Sequence, residues 1–266
     1  MKNNKDVILK KEAKIKSFWD EQAEKYTRQV ETTTPDLIYK ELEIRNIMKY
    51  IPQYASILDV GCGNGISTLG FAQLKGVRVH GVDYSEKMIW YAKENLESKP
   101  NLKKRVKFDV ANVLDLQKCI PEKYDVIVTE RCLINLSSFE KQKNAIKQLH
   151  SVLKQGGLLI MCENTIQGME KMNGLRKSVD LYEIPIRWHN LYFNEDELHP
   201  FLETFFDIEN IDPFASTYYI ASRIFNAKLT KEGEEPSFDS QINRLSLKLP
   251  NIGDFCPVRI YVLRKK

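Results

Sequence analysis

The sequence predicts an α/β fold in which helices cover both faces of a mostly parallel β-sheet. Between residues 56 and 164, short apolar segments typical of buried strands alternate with longer helical patterns. Such alternation indicates a parallel sheet built from βαβ units. The strands are expected near 56–60, 78–83, 106–110, 124–129 and 157–163, and the helices near 66–75, 85–97 and 139–153.

Further elements flank this alternating region. Two helices are expected before the first strand, over about 10–27 and 36–50, and Pro52 ends the second of them. Near the end of the chain, the apolar segments 205–211 and 258–263 read as a pair of strands that completes the sheet.

Two segments, 165–204 and 215–257, are longer than a connection between elements requires. They are rich in aromatic and polar residues, and long connections in compact domains are usually lids or binding loops. Ligands of open α/β sheets lie beyond the carboxyl ends of the strands. With 266 residues, we predict a single domain over 1–266, in which these segments form an inserted substrate-binding cap.

Composition and charge exclude several classes of protein. Hydrophobic residues make up 42% and charged residues 29% of the chain, as in ordinary globular proteins. No apolar run approaches the roughly 20 residues that cross a bilayer, and the five cysteines form no C-x-x-C pair. The net charge of +4 is modest and the arginine–aromatic pattern of nucleic-acid binding is absent. We therefore expect a cytoplasmic monomer or homodimer with no metal, no nucleic-acid partner and no membrane insertion.

A glycine-rich turn follows the first predicted strand. Residues 57–65 read Ile-Leu-Asp-Val-Gly-Cys-Gly-Asn-Gly, and a helix begins at Ile66. Glycines let the backbone take positive φ or lie against a ligand, and a helix N-terminus offers free N–H groups. Asp83 ends the next strand 20 residues after Gly63, where a carboxylate can bind ribose hydroxyls. The third glycine of the Gly-x-Gly-x-x-Gly dinucleotide fingerprint is missing, so a nucleotide cofactor other than a nicotinamide dinucleotide is favoured.

These motifs resemble those of the class I S-adenosylmethionine-dependent methyltransferases. The likeness is carried by residues 58–65, 81–88, 106–113, 124–128 and 153–160, and covers about residues 18–165. It implies a Rossmann-like, seven-stranded, mostly parallel sheet whose last strand is antiparallel. It also implies S-adenosylmethionine as the cofactor.

The resemblance implies a role for several residues. The glycine turn would hold the methionine end of the cofactor, Asp83 its ribose, and Tyr26 would close over its carboxylate, although Tyr26 could instead be a core aromatic residue. Many family members carry Asp where this chain has Asn112, so this amide must make a different hydrogen bond to the adenine. The cofactor-binding candidates are Tyr26, Asp59, Gly61, Cys62, Gly63, Asp83, Tyr84, Met88, Asn112, Val113 and Glu130.

The catalytic candidates are Glu130, Arg131 and His189. Glu130 and Arg131 follow the fourth strand, where they could take part in the chemistry or neutralise each other as a structural ion pair. His189 lies in the segment Trp-His-Asn-Leu-Tyr-Phe and is the best candidate for a general base, because an unperturbed histidine has a pKa near neutrality. A packing or capping histidine is the alternative.

Candidates for binding the methyl acceptor lie after the fourth strand and in the cap segments. Tyrosine and tryptophan combine a rigid apolar face with a polar group, which suits a sugar or an amino alcohol but also ordinary packing. The candidates are Asn135, Glu163, Trp188, His189, Asn190, Tyr192 and Tyr218.

The part of the chain after residue 165 adds a second resemblance. Residues 130–136, 187–190 and 249–255 are similar to methyltransferases encoded among bacterial surface-polysaccharide genes. The predicted function is methyl transfer from S-adenosylmethionine to an O or N atom of a small polar metabolite, a sugar or surface-glycan precursor. The alternatives are N-methylation of a small amine or phosphorylated amino alcohol, and a non-catalytic sensor or partner subunit that binds the cofactor.

Overall fold

A seven-stranded mixed sheet forms the centre of the protein. The computed structural model describes residues 2–266, with side chains from residue 10 onward. The strand order is β3-β2-β1-β4-β5-β7-β6, and only β7 runs antiparallel to its neighbours. The strands are β1 (Ser56–Val60), β2 (Arg78–Asp83), β3 (Val106–Val110), β4 (Tyr124–Glu130), β5 (Leu153–Asn164), β6 (Phe206–Asp212) and β7 (Val258–Lys265). The predicted mostly parallel sheet with an antiparallel last strand is confirmed.

Eleven α-helices are assigned within residues 2–266. None of them is long and apolar enough to span a membrane. They are α1 (Lys2–Tyr26), α2 (Leu37–Met48), α3 (Ile66–Phe71), α4 (Glu86–Glu97), α5 (Leu116–Cys119), α6 (Phe139–Val152), α7 (Ile166–Ser178), α8 (Glu195–Glu203), α9 (Ser216–Ile220), α10 (Asn226–Leu229) and α11 (Gln241–Ser246).

The sheet is buried on both faces. Side chains alternate along each strand, so Val126 and Val128 of β4 point to one face while Ile127 points to the other. The first apolar layer includes residues of α2, α3, α4 and α7, and the second includes residues of α5, α6 and α8. This arrangement of helices on both faces agrees with the predicted fold class.

Three predicted elements differ from the structure by more than two residues at one end. Helix α3 ends at Phe71 rather than residue 75, because the chain turns back toward β2 through Gly76, whose φ is +72°. Strand β5 begins at Leu153, directly after α6, and extends to Asn164. Helix α1 begins at Lys2 rather than near residue 10.

The two predicted cap segments contain both ordinary elements of the fold and cavity-lining loops. Segment 165–204 forms α7, a loop and α8, and Leu198 and Leu202 of α8 are fully buried. Segment 215–257 forms α9, α10 and α11. The cavity-lining parts are the loop from Ile184 to Tyr192 and a face of the helical stretch that includes Tyr219.

The strand order also fixes where a ligand can enter. Strand β1 pairs with β2 on one side and β4 on the other, so the chain crosses to the opposite half of the sheet after β3. Ligands of open α/β sheets bind at the carboxyl ends of the strands beside such a switch point. The turn after β1, the end of β2 and the end of β4 meet there.

Candidate active site

The glycine turn after β1 forms the floor of the site. Gly61, Gly63 and Gly65 have φ values of +75°, +54° and +81°, in the left-handed region that favours glycine. A Cβ on Gly61 would overlap the side chain of Cys132, and one on Gly65 would lie 2.6 Å from the ring of Phe108. The turn therefore requires glycine at both positions.

A cavity of about 110 Å³, here called the donor cavity, lies over this turn. At the end of β2, Asp83 accepts backbone N–H bonds from Gly63 (3.0 Å) and Ser85 (2.9 Å), one on each carboxylate oxygen. Each oxygen keeps a free lone pair, so Asp83 can accept two more hydrogen bonds, as a ribose diol requires. Eight of the predicted cofactor-binding residues line the cavity: Asp59, Gly61, Cys62, Gly63, Asp83, Tyr84, Met88 and Glu130.

A second cavity of about 280 Å³, mainly apolar, continues from the donor cavity and is here called the base cavity. Asn112 and Val113, the residues predicted beside the adenine, both line it. The side-chain oxygen of Asn112 accepts a hydrogen bond from the backbone N–H of Leu114 at 2.9 Å, which leaves the amide N–H groups for a ligand. The two cavities share four lining residues: Gly61, Tyr84, Cys132 and Asn135.

The joined cavities fit the cofactor that the sequence resemblance implies. The base cavity suits a flat heterocycle and Asp83 suits a ribose. The donor cavity suits an amino-acid end, because the charged Lys40 and Glu130 line it. Tyr84 Oη and Glu130 Oε1 are buried without a hydrogen-bond partner among the described residues. Buried polar atoms without partners are costly, so both atoms are available to a polar ligand.

Tyr26 is the one cofactor candidate that lines neither cavity. Its ring lies beneath Lys25 Nζ, 4.8 Å from the ring centroid. Trp19 lines the donor cavity from α1, and Thr33 lines it from the segment after that helix. Tyr26 lies seven positions after Trp19, about 10 Å further along the helix axis. The closure of Tyr26 over the cofactor stays a prediction.

Four charged side chains, three of them less than a tenth exposed, connect the donor cavity with α2. Glu43 is fully buried and accepts hydrogen bonds from Arg131 Nε (3.1 Å), Arg131 Nη2 (3.0 Å) and Lys40 Nζ (3.2 Å). Lys40 also pairs with Glu130, which accepts a further bond from Ser67 at 2.8 Å. Although burial raises it, the pKa of Glu43 is held below its ordinary value by Arg131 and Lys40. Glu130 and Arg131 thus do not neutralise each other directly, because each pairs with α2.

A third cavity of about 170 Å³, here called the acceptor cavity, adjoins the donor cavity. Of the predicted substrate-binding residues, Asn135, His189, Asn190 and Tyr192 line it. Asn135 is held by Trp19 Nε1, which donates to its side-chain oxygen at 3.1 Å, and it donates to the Arg131 carbonyl at 2.8 Å. The donor and acceptor cavities share four lining residues: Trp19, Thr33, Arg131 and Asn135.

His189 is packed among aromatic rings. Its ring stacks on Phe18 at a centroid distance of 4.5 Å, and it contacts Trp19 and Trp188 edge-on. The residue is only 4% exposed, and Nδ1 has no hydrogen-bond partner among the described residues. Burial, and then the charge of Arg187, lower its pKa to about 4. The pKa of His189 therefore lies below that of an unperturbed histidine, and the ring is uncharged at pH 7.

Glu163 does not line the acceptor cavity. It is fully buried and accepts backbone N–H bonds from Cys132 (3.1 Å), Leu133 (3.0 Å) and Ile134 (3.3 Å). Burial raises its pKa to about 7. Glu163 thus holds the turn after β4 in place, and the prediction that it binds the acceptor is corrected.

Trp188 and Tyr218 also lie outside the acceptor cavity. Trp188 is 47% exposed and packs edge-on against Phe18, with Lys14 Nζ 4.7 Å from its ring centroid. Tyr218 is buried and donates to Asp36 Oδ1 at 2.6 Å. The neighbouring Tyr219 lines the cavity in its place, because successive helical positions point about 100° apart.

Several residues of the site were not singled out from the sequence. The local sequence does not indicate that Lys40 and Glu43 belong to the site, since charged residues three positions apart on a helix usually face solvent. Ser67 likewise reads as part of an ordinary first helical turn. Arg187 and Arg223, which both line the acceptor cavity, belong to segments that drew attention for their aromatic residues. Longer-range contacts decide the positions of four of these residues, Lys40, Glu43, Ser67 and Arg223.

Comparison with known proteins identifies the family. Residues 53–203, more than half of the chain, match the family model described as a methyltransferase domain. The ribosomal protein L11 methyltransferase of Dictyoglomus turgidum is 31% identical over 139 residues, covering 51% of this chain and 42% of that protein. The carboxy-S-adenosyl-L-methionine synthase of Campylobacter curvus is 27% identical over 138 residues, covering 52% and 55%. The chain thus spans about half the length of the curated relatives it matches.

The fold is also found in solved structures. The magnesium protoporphyrin IX methyltransferase of Synechocystis PCC 6803 with bound SAM superposes with a TM-score of 0.60 at 14% identity, covering 96% of this chain and 97% of that one. At this identity the likeness concerns the fold alone. The family match establishes that the chain belongs to the methyltransferase domain family, and its fold is that of this solved methyltransferase.

Proposed function

We propose that the protein transfers a methyl group from S-adenosylmethionine to an O or N atom of a small polar metabolite, a sugar or surface-glycan precursor, bound in the acceptor cavity. The observation that carries this proposal is the shared wall of the two cavities, where Trp19, Thr33, Arg131 and Asn135 face both. A bound acceptor would meet the donor at this wall. The volume of about 170 Å³ and the polar lining support a small polar acceptor.

The chain supplies residues for each part of the cofactor. The glycine turn and the buried polar atom of Glu130 would hold the amino-acid end, Asp83 the ribose, and Asn112 and Val113 the adenine. When bound, S-adenosylmethionine supplies a sulfonium methyl group that is already electrophilic. The protein must therefore align the acceptor, exclude water and remove one proton.

Residues around the shared wall are placed for these tasks. The rings of Phe18 and Trp19 pack on His189 and limit the access of water. Asn135 is fixed by two hydrogen bonds, so it can orient a polar acceptor group. His189 is neutral at pH 7 because its pKa is lowered to about 4. Its buried Nδ1 is free to accept a proton, and we propose His189 as the base.

Cofactor affinity is expected to depend on the ionisation of Asp83. Burial raises the pKa of this carboxyl to about 6, so lowering the pH through 6 protonates it and weakens it as a hydrogen-bond acceptor. Titration calorimetry with S-adenosylhomocysteine between pH 5 and 8 should show affinity falling below about pH 6, by at most about tenfold per pH unit. Asp83→Asn should bind about 5- to 150-fold more weakly at pH 7.5 and lose this pH dependence.

Asp115→Asn is the matched control for Asp83→Asn. Asp115 is exposed close to the base cavity and pairs only with Lys118 among the described residues. This variant should keep both the affinity and the pH profile of the unmodified protein. An unchanged pH profile in Asp83→Asn would show that another group controls cofactor binding.

The proposed reaction is tested with methyl-labelled S-adenosylmethionine and a panel of nucleotide sugars, small amines and phosphorylated amino alcohols. We expect label in a nucleotide sugar or related glycan precursor. His189→Ala should slow this transfer about 100-fold or more while S-adenosylhomocysteine affinity stays the same. His150→Ala, which removes a ring packed against Phe205 and Phe206, should leave the rate nearly unchanged.

The remaining outcomes separate the alternatives. Label found only in an amine or amino alcohol would show that the acceptor belongs to that class and is not a sugar. Tight binding of S-adenosylhomocysteine with no transfer to any compound would favour a sensor or partner subunit. An unaltered rate in His189→Ala would assign His189 to packing.

A further inference from the structure

The acceptor cavity carries an excess of positive charge. Arg131, Arg187 and Arg223 line it, and among the residues that the structure describes no aspartate or glutamate does. A cavity lined in this way favours an anionic ligand, provided that the positive charges are not already balanced from behind. The partners of each guanidinium therefore decide what the cavity selects.

Two of the three arginines have buried carboxylate partners. Arg131 makes two hydrogen bonds to the fully buried Glu43. Arg223 Nη2 donates to Asp36 Oδ2 at 2.8 Å, and Asp36 is 2% exposed. These two arginines are neutralised within the protein.

Arg187 differs from them. It is an exposed residue of the loop before His189, and no carboxylate lies within 4.0 Å of its guanidinium among the described residues. Its backbone carbonyl accepts the Asn190 N–H at 2.9 Å, which fixes the turn that carries it. Its charge contributes, after burial, to the lowered pKa of His189, so its field reaches the interior of the cavity.

We propose that the methyl acceptor carries an anionic group, a phosphate or a carboxylate, that pairs with Arg187. This inference rests on the proposed function, since it concerns the acceptor of that reaction. A guanidinium binds either anion through two parallel N–H bonds, which fixes the orientation of the ligand as well as its affinity. An anion held by Arg187 would direct the rest of the acceptor inward, past His189, toward the wall shared with the donor cavity.

Pairing would also affect the proposed base. An anion beside Arg187 offsets part of the positive field that, with burial, lowers the pKa of His189. An anionic acceptor would thereby strengthen the base that acts on it, whereas a neutral analogue would not.

The proposal is tested by anion binding, without turnover. The protein is first saturated with S-adenosylhomocysteine, which fills the donor and base cavities, and is then titrated with inorganic pyrophosphate or with malonate at constant ionic strength in a calorimeter. We expect at least one of the two anions to bind, and Arg187→Gln to weaken its binding tenfold or more. Tighter binding of pyrophosphate would point to a phosphorylated acceptor, and tighter binding of malonate to a carboxylated one.

Arg78→Gln is the matched control. Arg78 is exposed at the start of β2, at the amino ends of the parallel strands, whereas the cavities lie at their carboxyl ends. Its replacement therefore removes the same charge far from the acceptor cavity. The anion affinity of Arg78→Gln should stay within twofold of the affinity of the unmodified protein. The inference is overturned if neither anion binds, or if the two variants lose affinity equally. Failure of S-adenosylhomocysteine to bind would instead contradict the proposed function.

Discussion

Replacement of Glu43 by alanine is expected to destabilise the protein by about 3–5 kcal/mol, the usual cost of removing one partner from a buried ion pair. Glu43 is fully buried and accepts hydrogen bonds from Lys40, Arg131 and the Tyr39 hydroxyl. Its loss leaves the Arg131 guanidinium without a carboxylate partner. It also leaves Lys40 with one carboxylate partner, Glu130. Urea unfolding followed by circular dichroism measures the change in free energy.

Glu41→Ala provides the control on the same helix. Glu41 is exposed, two positions before Glu43, and exposed substitutions of this kind usually change stability by less than about 0.5 kcal/mol. Glu43→Gln is expected to lie between the two, because it keeps the shape of the side chain and some hydrogen bonds but not the charge. Equal unfolding curves for Glu43→Ala and Glu41→Ala would show that the buried network contributes little to stability.

The donor half of the site was predictable because its requirements are local. Short segments of the sequence contain all of its features: an apolar strand, three glycines at positive φ and a carboxylate at the end of the next strand. Each reflects a backbone geometry that few residues can adopt or a polar group that must end a strand. The sheet around them follows from the same alternation of strands and helices, and its order agrees with the fold of the solved relatives.

The charged network was not predictable because its partners are distant in the chain. Glu43 and Arg131 are 88 residues apart, and Lys40 and Glu130 are 90 apart. A buried carboxylate on α2 has the same local sequence pattern as an exposed one. Only the packing of α2 over the end of β4 distinguishes them.

The acceptor-binding half of the site shows a second limit of prediction from the sequence. Whether Tyr218 or Tyr219 faces the acceptor cavity depends on the rotation of α9, a helix of only five residues. Glu163 was misassigned because its partners are backbone N–H groups, which the sequence does not encode as residue types. The lowered pKa of His189 follows from its burial among rings contributed by α1, far away in the chain.

Gly61→Ala is expected to weaken S-adenosylhomocysteine binding by about 100-fold, the second large effect. The left-handed conformation costs an alanine about 1–2 kcal/mol, and Gly61 has φ +75°. The new Cβ would also lie 2.6 Å from Cys132 Cβ, closer than carbon atoms pack. Cys132 lines both the donor and the base cavity, so its displacement changes both walls. Calorimetry gives the affinity, and thermal unfolding of the free protein gives the loss of stability.

Two other glycines separate the steric effect from backbone strain. Gly233 has φ +85°, and a methyl group added there would meet no atom within 4 Å, so Gly233→Ala carries the strain without the overlap. Gly174 lies inside α7 with similar free space, and Gly174→Ala should be neutral or stabilising, since alanine is favoured in helices by about 1 kcal/mol. Both should bind S-adenosylhomocysteine like the unmodified protein. If Gly61→Ala also bound it normally, Cys132 would have to move without changing either cavity, and the assignment of these cavities to the cofactor would lose its main steric support.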